Sequence, residues 1–225
     1  ICIGDSITLN ATGGAQYSWS PTSSLSDPLI ASPVAFPAVT TIYTVTAGIA
    51  VNCSFTDTIV LQVNALPVVD AGTDTLICLN DTLQLNASGA NNFSWSPSTY
   101  LTDPTISNPY ASPAQTTTYI VTGTDLAGCI NTDTVTINVL PLPFASAGSD
   151  TAICTGDSVL LQAGGGSNYL WQPTGSLSDS VISNPVAKPT VTTIYIVKVT
   201  DDSGCYDYDS VTIATYPLPI ANAGE

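Results

Sequence analysis

The sequence predicts an all-β chain arranged as a tandem array of three small β-sandwich domains. Three observations carry this prediction: a repeat of 76 residues, short segments that alternate polar and apolar residues, and closely spaced Pro and Gly. Alternation with a period of two is typical of half-buried strands, and Pro interrupts helices. Many short strands separated by turn residues favour a sandwich.

The repeat keeps its register along the whole chain without insertion or deletion. Its period of 76 residues exceeds the roughly 20–50 residues of solenoid units and is long enough for a small domain. We therefore predict domains at residues 1–66, 67–142 and 143–218, with residues 219–225 beginning a fourth repeat. The first domain would lack its N-terminal strand. The residues that define the period include Cys2/Cys78/Cys154, Cys53/Cys129/Cys205, Trp19/Trp95/Trp171 and Tyr43/Tyr119/Tyr195.

Strand patterns recur in each repeat, and in the first they cover residues 6–10, 41–46 and 58–63. We expect about seven strands per repeat, as in small sandwiches. The repeats are joined by Pro-containing linkers at residues 66–74 and 142–150. Because Pro favours extended backbone, these linkers should be stiff. Neighbouring repeats should then contact each other in a semi-rigid array.

The composition excludes several functions. The chain has 2 basic and 17 acidic side chains, a net charge of −15 and no His. Nucleic acids and anionic membranes need a basic surface, and no apolar stretch reaches the ~18 residues of a membrane span. Most acid–base catalysis needs His, so the chain is predicted not to be an enzyme. Gly4-Asp5-Ser6 imitates a hydrolase nucleophile sequence, and we interpret it as a turn before a strand.

Five motifs recur in every repeat: Cys-x-Gly/Asn-Asp-Ser/Thr, Tyr/Phe-x-Trp-x-Pro, Leu-x-Asp, Thr-x-Tyr-x-Val and Asp-Thr/Ser-Val/Ile. The pattern resembles the PKD-like, immunoglobulin-type repeats of giant Bacteroidota surface proteins, such as gliding-motility adhesins of the SprB type. The resemblance covers all three repeats and their linkers. It implies immunoglobulin-like sandwiches in an extracellular, cell-surface protein exported by type IX secretion. The chain departs from true PKD domains, since Trp-Ser-Pro or Trp-Gln-Pro replaces Trp-Asp-Phe-Gly-Asp.

The six cysteines are expected to form disulfides, which indicate an oxidising compartment. We favour one disulfide within each repeat, each closing 51 residues. Pairing across each linker, or free buried thiols, are the alternatives. Zinc is not expected, because two Cys per repeat without His cannot complete a tetrahedral site. The favoured pairs are Cys2–Cys53, Cys78–Cys129 and Cys154–Cys205; the cross-linker pairs are Cys53–Cys78 and Cys129–Cys154.

The periodic aromatic residues are expected in the cores. In immunoglobulin sandwiches a buried Trp packs against the disulfide, which favours the same role for the three Trp residues here. A sugar-stacking surface is the alternative. Repeated glycan binding would need exposed aromatic residues in every repeat, whereas Tyr100 and Tyr110 have no aromatic counterparts in the other two.

Calcium is the one cofactor for which the sequence offers ligands. The ion takes about six to eight oxygens, and a linker aspartate could meet a loop aspartate of the neighbouring repeat. Solvated turn residues are the alternative, and the incomplete recurrence of these aspartates favours it. The candidate calcium ligands are Asp70, Asp74, Asp125, Asp150, Asp201 and Asp202.

The family resemblance also implies O-glycan acceptors, since Bacteroidota modify Ser or Thr in the pattern Asp-Ser/Thr-aliphatic. The alternative is that each Asp is simply a turn residue that leads into a strand. The matching hydroxyl residues are Ser6, Thr58, Thr75, Thr82, Thr134, Thr151, Ser158, Ser180 and Ser210.

Together these features predict a structural role. The chain would be a stalk or filament segment of a large extracellular adhesin, and its repeats would provide reach and stiffness. Weak multivalent binding of glycans or proteins is one alternative. Lateral association of copies into a filament or sheath is another. The expected partners are neighbouring repeats, other copies of the chain and surface ligands, but neither nucleic acid nor membrane.

Overall fold

The computed structural model describes residues 1–50 and 53–221, and every regular element in this part of the chain is a β-strand. The all-β prediction is therefore confirmed. Repeat one contains β1 (Ile7–Thr8), β2 (Gln16–Ser20), β3 (Val34–Ala35), β4 (Thr41–Ala50) and β5 (Cys53–Leu61). Repeat two contains β6 (Thr75–Cys78), β7 (Leu83–Gln84), β8 (Asn92–Ser96), β9 (Tyr110–Ala111), β10 (Thr117–Thr124) and β11 (Ile130–Leu140). Repeat three contains β12 (Thr151–Cys154), β13 (Val159–Leu160), β14 (Asn168–Gln172), β15 (Val186–Ala187), β16 (Thr193–Thr200) and β17 (Tyr206–Tyr216).

Each repeat forms one larger sheet and one two-stranded sheet, the two layers of an immunoglobulin-like sandwich. The larger sheets have the order β2-β4-β5, β6-β11-β10-β8 and β12-β17-β16-β14, and the small sheets are β1-β3, β7-β9 and β13-β15. In repeat three, β12 runs parallel to β17, while the other neighbours in that sheet are antiparallel. The chain is therefore a tandem array of immunoglobulin-like sandwiches.

The strand patterns were predicted better in position than in length. Residues 41–46 lie within β4, and residues 58–63 overlap β5. Of residues 6–10, only Ile7 and Thr8 are in a strand, β1. Repeats two and three each have six strands, whereas about seven were predicted. The segment between β2 and β3 carries three Pro residues, which cannot donate to a ladder, so bends replace the missing strand.

The periodic aromatic residues form the cores, as predicted. Trp19, Trp95 and Trp171 are 3%, 2% and 0% exposed, and the three periodic Tyr residues are fully buried. A buried indole needs an acceptor for its N–H group. Each indole finds one on the backbone eleven residues further on, at the carbonyl oxygens of Ile30, Ile106 and Ile182, over 3.0, 3.0 and 3.1 Å.

The structure divides into two compact units. The first contains Ile1–Thr75, Thr82–Ser112 and Thr118–Ile137, and the second contains Leu76–Asp81, Pro113–Thr117 and Asn138–Glu225. The division falls within repeat two, so the domain limits proposed from the repeat stay a prediction.

Candidate functional site: the junctions between successive repeats

The disulfides join different repeats. Cys2 bonds to Cys129 in the first unit, and Cys78 bonds to Cys205 in the second, each over a sequence separation of 127 residues and with 5.5 Å between the Cα atoms. In both cases the first cysteine of one repeat pairs with the second cysteine of the next. The predicted pairing within repeats, Cys2–Cys53, Cys78–Cys129 and Cys154–Cys205, is therefore wrong, as is the cross-linker alternative.

The strand topology explains why a repeat cannot pair its own two cysteines. In repeat three, Cys154 lies opposite Tyr216 at the end of β17, while Cys205 immediately precedes the start of that strand. The strand has 11 residues, which span roughly 35 Å at ~3.3 Å per residue. A disulfide needs Cα atoms within about 7 Å. The buried Trp residues consequently do not pack against a disulfide of their own repeat.

A tight turn fixes the first cysteine of each repeat. The N–H of Asp5, Asp81 and Asp157 donates to the carbonyl of the cysteine three residues earlier, over 3.0 Å each time. The residue before each aspartate has a positive φ: +93° at Gly4, +74° at Asn80 and +100° at Gly156. This confirms the turn interpretation of Gly4-Asp5-Ser6. The turn presents the cysteine at the end of the repeat from which the chain leaves.

Substitution Asn80→Gly should stabilise this turn in repeat two. A side chain at positive φ is strained, and Gly relieves that strain, so we expect a gain of about 0.5 kcal/mol in the free energy of unfolding. The reverse change in the matching turn, Gly156→Asn, should lower it by a similar amount. Urea denaturation measures both; an Asn80→Gly variant less stable than the parent would contradict the turn argument.

The linker that enters each repeat packs on that repeat's last strand. In repeat two, the N–H of Ala71 donates to Asp133 Oδ2 over 2.8 Å, and Asn131 Nδ2 donates to the carbonyl of Pro67 over 3.0 Å. Repeat three matches it, since Ala147 donates to Asp209 Oδ2 over 2.8 Å. Ala71 and Ala147 are each only 1% exposed. Each linker is thus part of the sandwich that it enters.

The backbone of each linker lies in close contact with a glycine of the repeat that it enters. A Cβ atom on Gly89 would lie 1.7 Å from the carbonyl oxygen of Val68, and one on Gly165 would lie 1.8 Å from that of Phe144. Both glycines have positive φ, +86° and +100°. No side chain fits there, so the linker backbone lies directly against the segment that precedes β8 or β14. The sequence showed glycines at these positions of the repeat, but we did not predict this contact.

Asp133 links the stability of this contact to pH. The N–H groups of Ala71 and Thr134 stabilise its carboxylate and lower the pKa of Asp133 below its usual value. A carboxyl group whose pKa is lowered by folding stabilises the native state at pH values above its unfolded pKa of ~3.9. This stabilisation is lost as the pH falls through the pKa of the folded state.

We therefore expect the urea midpoint to fall more steeply below pH 4 in the parent than in Asp133→Asn. Replacement of the exposed Asp202 by Asn is the control and should leave the acid limb unchanged. If the urea midpoints of the parent and Asp133→Asn fell equally steeply below pH 4, this role of Asp133 would be contradicted. The experiment reports the linker contact, because Asp133 accepts the linker N–H.

Five of the six candidate calcium ligands accept hydrogen bonds from the backbone, and the sixth, Asp202, is exposed. Asp74 Oδ1 accepts the N–H of Thr136, and Asp125 Oδ1 accepts those of Ala127 and Cys129. Thr136 and Cys129 are seven positions apart on or beside β11, which corresponds to roughly 23 Å. Asp74 and Asp125 of repeat two thus bind the backbone at well-separated positions, and a meeting of acids from neighbouring repeats stays a prediction. Asp70, Asp150 and Asp201 likewise accept backbone N–H groups.

Within residues 1–50 and 53–221, no three acidic or Cys side chains gather as metal ligands would. Calcium binding by these aspartates stays a prediction. The candidate O-glycan acceptors are exposed, apart from Thr75 and Ser180, which are half-buried. Their modification also stays a prediction.

Repeat three carries an aromatic surface that the sequence analysis missed. Lys198 Nζ lies 3.6 Å from the ring centre of Tyr206, which contacts the edge of Tyr208 at a centroid distance of 5.7 Å. Tyr100 and Tyr110, the candidates from the sequence, are about half exposed in repeat two. Tyr100 adjoins the buried Tyr119, whose pKa is raised by burial and by Tyr100. None of these surfaces recurs from repeat to repeat.

Comparison with known proteins gives a likeness of fold at low identity. The chain matches no protein-family model and no curated protein. The N-terminal eight Ig domains of Down syndrome cell adhesion molecule isoform 1.30.30 are 13% identical over 96% of this chain and 35% of that one, with a TM-score of 0.47. The I9–I11 tandem of titin is 11% identical over 96% and 95% of the two chains, with a TM-score of 0.36. The insect immune protein hemolin is 13% identical over 96% and 72%, with a TM-score of 0.35.

The chain spans about a third of the length of the first of these structures. The described part of the chain contains no helix long and apolar enough to cross a membrane. At these TM-scores the fold assignment rests on the strand order of the sheets.

Proposed function

We propose that the chain is a stalk segment of a large extracellular adhesin, in which the repeats provide reach and transmit tension. One observation carries the proposal: each disulfide ties one repeat to the next, in addition to the backbone. A binding domain needs a distinct surface, whereas a spacer needs repeats that stay together under load. Disulfides also fit an oxidising, extracellular location.

The motifs that recur in each repeat are the basis for proposing a more specific type of protein. We propose a surface protein of the SprB type, with domain limits at residues 66/67 and 142/143. The excess of acid, a net charge of −15, supports it as well, because like-charged stalks repel each other and stay soluble. Type IX export, calcium and O-glycans belong to the same proposal.

Immunogold electron microscopy of the producing cells, with antibody against this chain, tests the stalk. Label along thin surface filaments is the expected result. Label confined to the outer membrane or to secreted material would contradict the proposal. Cells lacking the encoding gene are the control for antibody specificity.

A second candidate function is ligand binding by repeat three alone. The surface formed by Lys198, Tyr206 and Tyr208, next to Leu170 and Ile196, offers aromatic faces and one cation. Such faces stack on sugars and apolar groups. Glycan-array binding that is lost in Tyr208→Ala would support this candidate; equal binding by the parent and the variant would remove it.

A further inference from the structure

The two disulfides close loops that overlap along the chain. One loop runs from Cys2 to Cys129 and the other from Cys78 to Cys205. The second loop therefore begins before the first one ends. Disulfides within single repeats would close loops that follow one another without overlap. The overlap is thus a direct consequence of pairing between successive repeats, and it changes how tension passes along the covalent chain.

Three stretches of backbone join the first disulfide to the second. They are residues 2–78, 78–129 and 129–205, and they span 76, 51 and 76 positions. Because all three connect the same two bonds, the shortest of them decides how far the two bonds can separate. The shortest is residues 78–129, the part of repeat two that lies between its own cysteines.

This shortest path limits the length of the unfolded chain. Extended backbone spans at most ~3.5 Å per residue, so residues 78–129 reach no further than about 180 Å. Cys2 and Cys205 are 203 positions apart, and the backbone alone would let them separate to about 710 Å. With both disulfides in place, these two cysteines stay within about 180 Å of each other even when every sandwich has unfolded.

The limiting path is compact in the folded chain. Trp95 and Tyr119 lie within residues 78–129 and are 2% and 0% exposed, so this path contributes to the core of repeat two. The path cannot be fully extended until that core has opened. The limit thus takes effect only under a load that has already unfolded repeat two.

The folded repeats also protect the two bonds. Cys129 and Cys205 are fully buried, and Cys2 and Cys78 are half-buried. A thiol or another reductant has to reach a sulfur atom before a disulfide can be cleaved. Both bonds are consequently shielded in the folded chain and are intact when tension begins to open a repeat.

We propose that the overlapping disulfides act as an extension limiter. A load that unfolds the repeats stretches the chain between Cys2 and Cys205 to only about a quarter of the length that the backbone alone allows. The unfolded residues then refold from closed loops, which lose less conformational entropy than an open chain. The purpose of the limiter rests on the proposed stalk function, whereas the limit itself is measured on the isolated chain. A failure of one is therefore distinguishable from a failure of the other.

Single-molecule force spectroscopy tests the limit. The chain is held by peptide tags at both ends and carries Cys53→Ala and Cys154→Ala, because a free thiol could attack a stretched disulfide. We expect residues 2–205 to contribute about 180 Å to the fully extended length before reduction and about 710 Å after it. Pairing within repeats would leave only Cys78–Cys129 in this variant and would give about 530 Å before reduction. That length, or one near 710 Å before reduction, would overturn the proposal.

Reduction under load tests the overlap itself. With a phosphine reductant and a constant pulling force, cleavage of the first disulfide should lengthen the chain by only about 90 Å, because a path of 76 residues remains. Cleavage of the second disulfide should add about 440 Å. The same two steps are expected whichever bond breaks first. Two steps of similar size, or a single step, would contradict the overlap.

Two matched variants in the same background assign the steps. Cys2→Ala/Cys129→Ala and Cys78→Ala/Cys205→Ala each leave a shortest path of 76 residues, so each should reach about 270 Å before reduction. Mass spectrometry of unreduced peptides confirms the remaining disulfide beforehand. The extended length depends on covalent connectivity and not on the stability of the fold, so a destabilised variant still reports its path. A length of about 180 Å in either variant would show that the missing disulfide does not set the limit, and would overturn the proposal.

Discussion

Replacing Cys78 and Cys205 together by Ala is expected to lower the free energy of unfolding by about 4–5 kcal/mol. The bond closes 127 residues, and loop-closure entropy for a loop of that order is worth about 4.7 kcal/mol. The matched control replaces Cys53 and Cys154 by Ala, which removes two thiols and no disulfide. That control should change stability by less than about 0.5 kcal/mol. Urea denaturation of the monomeric chain measures both.

Thiol labelling separates the observed pairing from the predicted one. The unfolded but unreduced monomer should take two iodoacetamide labels, because Cys53 and Cys154 are unbonded. One disulfide within each repeat would give no label. The Cys53→Ala/Cys154→Ala variant should take none, which assigns both labels. Two labels that persist in this variant would contradict the structure.

Gly89→Ala is expected to cost about 3 kcal/mol or more. The new Cβ atom would stand 1.7 Å from the carbonyl oxygen of Val68, a backbone atom that cannot rotate away. The linker would have to leave the sheet, which exposes Val69 and Ala71 and breaks the Ala71–Asp133 hydrogen bond. Burial of Val is worth ~1.5–3 kcal/mol, and a hydrogen bond to a charged acceptor is worth a similar amount.

Gly13→Ala is the internal control, since its φ of +89° is nearly equal but its surroundings are open. It should cost only the strain of a side chain at positive φ, about 1 kcal/mol. The difference between the two variants isolates the linker contact. Equal destabilisation in urea would mean that the linker contributes nothing to repeat two.

Much of the fold was predictable because the repeat itself reveals it. Residues that recur every 76 positions and are apolar or aromatic, such as Trp95 and Tyr119, lie in the cores. The alternation at residues 41–46 and 58–63 located β4 and β5. These signals are local, so a single sequence carries them.

The disulfide pairing was not predictable in the same way. Both cysteines of a repeat recur with the same period. Pairing within a repeat and pairing between successive repeats are therefore equally compatible with the repeat pattern. The decision depends on the parallel pairing of β12 with β17, which puts Cys154 and Cys205 at opposite ends of one strand. This strand pairing is a long-range contact, and no local sequence pattern predicts it.

The linker contact left a signal that the sequence analysis did not use. Gly13, Gly89 and Gly165 follow the period, as do the small residues Ala71 and Ala147. A recurrent glycine opposite a recurrent alanine is typical of close backbone packing. We predicted the linkers only as stiff connectors, whereas each of them completes the sandwich that it enters.

The two disulfide loops overlap, since one spans residues 2–129 and the other spans residues 78–205. A protease that cuts any single peptide bond between residues 2 and 205 therefore leaves the two fragments covalently joined. Within residues 78–129 the fragments are joined twice. The covalent continuity of the chain would then survive a nick that separates domains joined by the backbone alone, as long as the disulfides stay oxidised.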